Sequence, residues 1–74
     1  MTTNELYKAW LYNGQLDTTV LKIWSIKEVD YIFSSDNPEQ YDITPEEVEK
    51  LEVKCFNTFY DKETDKNYLV INVD

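Results

Sequence analysis

"EVKCFNTFYDKETDKNYLVINV", Glu52 to Val73, is the stretch around which the rest of the chain must be arranged. Two runs rich in β-branched and aromatic residues, "EVKCFNTFY" and "NYLVINV", flank the polar loop "DKETDK", the pattern of a β-hairpin. In the second run Leu69, Ile71 and Val73 alternate with Tyr68, Val70 and Asn72, so both faces of that strand are largely apolar. One face can cover helices. The other face, or an open edge of the strand, needs a partner, and a twofold homodimer through the hairpin is the simplest expectation.

Working backward, "TPEEVEKL" opens with Thr44 and Glu47 at capping-box spacing and Pro45 at the first helical position. A helix is expected there, running to Glu52 with Val48 and Leu51 inward. Asp36 to Asp42 is expected to be loop, marked by Asn37-Pro38. "SIKEVDYIF" repeats the capping box with Ser25 and Glu28, and Ile26, Val29 and Phe33 would line one helical face. "TTVLKIW", Thr18 to Trp24, is β-branched and reads as a strand. "TNELYKAWLYNG" reads as an amphipathic helix over Asn4 to Asn13, with Thr3 or Asn4 as cap and Gly14 just past the end. The competing reading turns a hairpin at Asn13-Gly14; the helix is preferred because "ELYKAWL" holds no β-branched residue.

The fold class that follows is α+β: two or three short helices on a small, mostly antiparallel sheet ending in a C-terminal β-hairpin. Seventy-four residues make a single domain, 1–74, with a small core that eleven aromatic residues help to fill.

Composition closes off several chemistries. There is no histidine to act as general base or metal ligand, and no arginine to clamp phosphate. Gly14 is the only glycine, which excludes phosphate-binding and dinucleotide glycine loops. Asp61, Glu63, Asp65 and Asn67 echo the first half of a calcium loop, but Lys66 and Asn72 stand where glycine and glutamate are needed. Cys55, the only cysteine, reads as a buried strand residue. No enzyme activity, metal or cofactor is expected. The lone cysteine, the absence of a signal-peptide pattern at "MTTNELYKAW" and the lack of a long apolar run suggest a cytoplasmic protein.

Charge is the informative feature. The formal net charge is −8. Glu28, Asp30, Asp36, Glu39, Asp42, Glu46, Glu47, Glu49 and Glu52 face one lysine, Lys50, whereas the rest of the chain is balanced. Segregation of this kind raises self-repulsion, so a function for it is more economical than solubility alone. Along a helix from Glu46 to Glu52, four carboxylates would fall roughly every 3 Å, near the ~3.4 Å axial spacing of phosphates along one DNA strand. These nine residues form the candidate partner-binding face. The expected partner is a basic DNA-binding protein; direct binding to nucleic acid or to a membrane is not expected.

In size and charge the chain resembles small acidic phage-encoded proteins that imitate DNA, most of all the phage inhibitor of the bacterial sliding clamp. That resemblance implies blockage of the channel where duplex DNA sits, in the host bacterial cytoplasm. "QLD" (Gln15, Leu16, Asp17) matches the opening of the peptide motif that docks on the clamp, with Thr18 and Thr19 in place of its apolar anchors. A second set of residues is similar to phage uracil-DNA glycosylase inhibitors. It comprises the Pro-Glu-Glu-Val-Glu helix start, Pro45 to Glu49, and "YDKETDKN", Tyr60 to Asn67, before an apolar strand. That family's Glu-Ser-Ile edge strand is absent from this chain, and Glu39-Gln40-Tyr41 lies near its place. The alternative from another class is a small adaptor or structural domain with an acidic solubilising face.

Overall fold

A computed structural model describes residues 1–12 and 19–74, with the side chains of residues 10–12 excepted. Helix α1 spans Thr3–Tyr12 and is followed by strands β1 (Val20–Ser25) and β2 (Asp30–Ser34). A short 3-10 helix, Pro38–Gln40, leads into helix α2 (Pro45–Glu49), then strands β3 (Cys55–Asp61) and β4 (Lys66–Val73). The four strands form one mixed sheet in the order β2-β1-β4-β3. Its two outer pairings are antiparallel, and the central β1–β4 pairing is parallel. The α+β class and the C-terminal hairpin stand as expected.

Period-2 alternation sorts the strand residues onto two faces. Leu21 pairs with Leu69, Ile23 with Ile71 and Ser25 with Val73, which puts these six on one face. Ile23, Leu69, Ile71 and Val73 are almost wholly buried there. Leu6 of α1 and Val48 of α2 join the same cluster, so both helices cover this face. Lys22, Trp24, Tyr68, Val70 and Asn72 point the other way.

Both helix starts are capping boxes. Thr44 Oγ1 accepts the Glu47 N–H at 3.2 Å, and Glu47 Oε1 accepts from the Thr44 N–H at 3.4 Å. At α1 the cap is Thr2 rather than Thr3 or Asn4: its N–H donates to Glu5 Oε1 at 3.0 Å and its Oγ1 accepts the Glu5 N–H at 3.3 Å. These bonds hold the Glu5 carboxyl below its ordinary pKa. Thr3 instead is buried and donates to the Leu51 carbonyl through Oγ1 at 3.1 Å.

Four further expectations are corrected. The segment from Ser25 to Phe33 is a turn and a strand, not a helix. Ser25 Oγ does accept the Glu28 N–H at 3.0 Å, as a cap would, but Val29 then takes φ 54° and leaves the helical path. Tyr31 and Phe33 go on to pair with β1, where aromatic residues are favoured. The helix of the second capping box stops at Glu49, with Lys50 as its C-cap. Beyond it Leu51 accepts from Thr3 and Glu52 bridges to Thr2, so pairing with the N-terminal segment replaces the next helical turn. Cys55 is exposed because it opens the edge strand β3 on the face away from the helices. Finally, β4 has no open edge: it lies between β1 and β3, with Leu69, Ile71 and Val73 under the helices and with Tyr68 and Val70 buried on the other face. The Asn13-Gly14 alternatives and "QLD" lie outside the described residues.

Candidate partner-binding surfaces

All nine carboxylates of the acidic segment are exposed, but the fold distributes them over several elements. Glu28 sits in the β1–β2 turn and Asp30 opens β2. Asp36 and Glu39 follow β2, with Glu39 in the 3-10 helix, and that helix packs beside β2. Glu46, Glu47 and Glu49 belong to α2, and Glu52 lies beyond it in the bridge to Thr2. The expected row of four helical carboxylates is thereby shortened. Glu46 and Glu49, one turn apart with ~4.5 Å of axial rise, share a side of α2, whereas Glu47 is turned back onto Thr44.

Local bonding separates committed carboxylates from free ones. Asp36 accepts from the Ser34 hydroxyl, and Asp30 Oδ1 accepts the Tyr31 N–H at 2.8 Å. Glu52 pairs with the N-terminal ammonium at 3.3 Å. Among the described residues this is the only ion pair made by any of the nine, and Lys50 makes none. Glu28, Glu39, Asp42, Glu46 and Glu49 have carboxylates with no protein partner among the described residues.

Three of the nine converge. Glu28, Asp30 and Asp42 line an open cleft of about 620 Å³ together with Lys27, Tyr41 and Asp74. Asp74, outside the expected set, is drawn there by chain geometry and is also bonded to Lys54 at 3.2 Å. Such a cleft suits the ammonium or guanidinium of a partner's long basic side chain. Among the described residues no cluster of three or more acidic or cysteine side chains is arranged to hold a metal ion. In the "DKETDKN" loop, Asp61 Oδ1 accepts the Glu63 N–H at 3.0 Å, and Asp65 accepts from the Tyr60 hydroxyl.

A second surface was missed in the sequence. On the sheet face away from the helices, an aromatic ladder crosses all four strands. Trp24 meets Tyr31 edge-on at 4.9 Å, and the Lys22 ammonium lies 5.0 Å from the Tyr31 ring centre and 5.3 Å from that of Tyr68. Tyr68 stacks on Phe59 at 4.8 Å. A trough of about 520 Å³ lies on this face, bounded by Trp24, Tyr31, Asn57 and Phe59. The signal was available: Lys22 and Trp24 alternate with Leu21 and Ile23 in "VLKIW". It becomes a surface only once the strand order is known.

No helix of the described residues is long and apolar enough to cross a membrane. No protein-family model matches the chain, and no curated protein or solved structure shows significant similarity to it.

Proposed function

We propose that this chain is a non-enzymatic DNA mimic that binds a basic DNA-binding protein and occupies the surface where duplex DNA would lie. The observation that carries the reading is the exposed, uncompensated charge: nine carboxylates in one third of the chain, of which only Glu52 has an ionic partner among the described residues. Free carboxylates of this kind can take the lysine and arginine positions that normally hold phosphates. The excess charge steers encounter, and aromatic contacts hold the complex. The bacterial sliding clamp is the first target to test, and the cytoplasm the expected compartment.

A second target is supported by a separate observation. Pro45–Glu49 is a helix and Tyr60 to Asn67 turns the β3–β4 hairpin, the two elements that resemble uracil-DNA glycosylase inhibitors. One capture experiment tests the reading and separates the targets. The protein is immobilised and bacterial lysate is passed over it with and without excess duplex DNA. The reading predicts retention of the clamp or the glycosylase, abolished by duplex DNA. Retention that duplex DNA leaves unchanged contradicts it and favours the adaptor alternative.

A further inference from the structure

Among the described residues β3 pairs with β4 alone, so the backbone groups along its other side have no strand partner. The pairing of Thr2 with Glu52, and of the Val53 N–H with the Met1 carbonyl, ends before Cys55. The opposite edge, β2, is shorter, opens with Asp30 and is flanked by the 3-10 helix. Among the described residues β3 has no such protection. Its seven residues contain no proline, no bulge against β4 and no charge before Asp61. Phe56, Phe59 and Tyr60 remain 48%, 46% and 52% exposed.

Charge and residue order identify the occupant. A chain of net charge −8 can meet its own copy only where carboxylates are absent, and Cys55 to Tyr60 is such a run. A basic partner strand would find no carboxylate from Cys55 to Tyr60 to pair with its charges. An antiparallel twofold centred on Thr58 sets Phe56 opposite Tyr60 of the second copy, and Asn57 opposite its Phe59. Phe56 and Tyr60 lie on the same face of β3, opposite Ile71 and Asn67 of β4, so both aromatic pairs fall on one side of the seam. The sheet order also places β2, with Glu28, Asp30 and the neighbouring Asp36 and Glu39, at the edge farthest from β3. Joining the β3 edges sends the two acidic edges to opposite ends of the assembly.

We propose that two copies associate β3 to β3, merging their four-stranded sheets into one continuous sheet across a twofold axis at Thr58. This stands apart from the DNA-mimic reading, because it involves none of the nine carboxylates.

Sedimentation equilibrium at micromolar concentration tests it. The expected mass is twice 8.9 kDa for the parent and 8.9 kDa for Thr58→Lys, which sets like charges opposite each other at the seam. Because that substitution also lowers the net charge from −8 to −7, relief of general repulsion would act in the opposite direction. A monomeric parent, or a Thr58→Lys variant that keeps the doubled mass, overturns the proposal. Cross-linking gives an independent readout that does not depend on the lysine variant folding. In a Cys55→Ser background, Thr58→Cys should form a covalent dimer with a mild oxidant, whereas Phe59→Cys should not. The reverse pattern, or no cross-link at Thr58→Cys, overturns the register.

Discussion

Phe59 and Tyr68 stack with ring centres 4.8 Å apart and planes 12° from parallel, tying the edge strand to the buried centre of the sheet. Tyr68 is buried whereas Phe59 is half exposed, so the contact is the point where the core reaches the surface. Phe59→Ala should cost about 1 kcal/mol, the scale of an aromatic pair. Urea denaturation measures it; a midpoint equal to that of the parent would show that the stack contributes nothing.

Val29 holds φ 54° at the β1–β2 turn with its side chain 71% exposed. A β-branched residue is strained in this region, and no buried contact compensates for it. Val29→Gly should therefore raise stability by ~1 kcal/mol, even after the entropy that glycine adds to the unfolded chain. A loss of stability in the same assay would mean that the valine is held there by a contact rather than tolerated.

The Tyr60 hydroxyl donates to Asp65, and this bond, followed by burial and the nearby Asp65 and Asp61 charges, raises the phenol above its ordinary value of 10.0. The raised folded-state pKa fixes the sign: the contribution is complete below pH 10.0 and is lost as pH climbs through the folded value. Absorbance titration of the tyrosinate band should show a late phase, from Tyr60, that moves to lower pH in Asp65→Asn. Superimposable titrations of parent and variant would remove Asp65 as the cause.

How far the sequence revealed this fold depends on the range of the interaction involved. The β3–β4 hairpin, α2 and most of β1 follow from local chemistry: β-branched runs about a polar loop, and Thr44 with Glu47 and Pro45. β2 was hidden because Ser25 and Glu28 make a real cap-like bond that initiates a turn instead of a helix. The deciding event, pairing of Phe33 with Ile23, is tertiary. The parallel β1–β4 pairing joins residues far apart in sequence, and no local pattern specifies such a partner. "NYLVINV" did carry a trace of it, since a strand apolar on both faces belongs at the centre of a sheet. Exposure of the nine carboxylates was legible from residue type alone. Their dispersal was not, because α2 ends where Leu51 and Glu52 turn to meet the N-terminus.

Asp42, Glu46 and Glu49 carry exposed carboxylates with no partner among the described residues, so neutralising them should affect binding and not folding. Replacing Asp42 with Asn and both glutamates with Gln should leave the far-ultraviolet circular dichroism spectrum unchanged. At about 1 kcal/mol per lost contact, affinity for the partner should fall ~100-fold at low salt. Equal affinity of parent and triple variant would remove these three residues from the binding face.

Competition for the partner's DNA site bears most directly on the mimicry claim. Labelled duplex DNA bound to the purified sliding clamp can be followed by fluorescence anisotropy as the protein is added. The account predicts release of the DNA, with an apparent affinity that drops steeply between low and physiological salt. A stable ternary complex of protein, clamp and DNA, or binding to the clamp that is indifferent to salt, would contradict it.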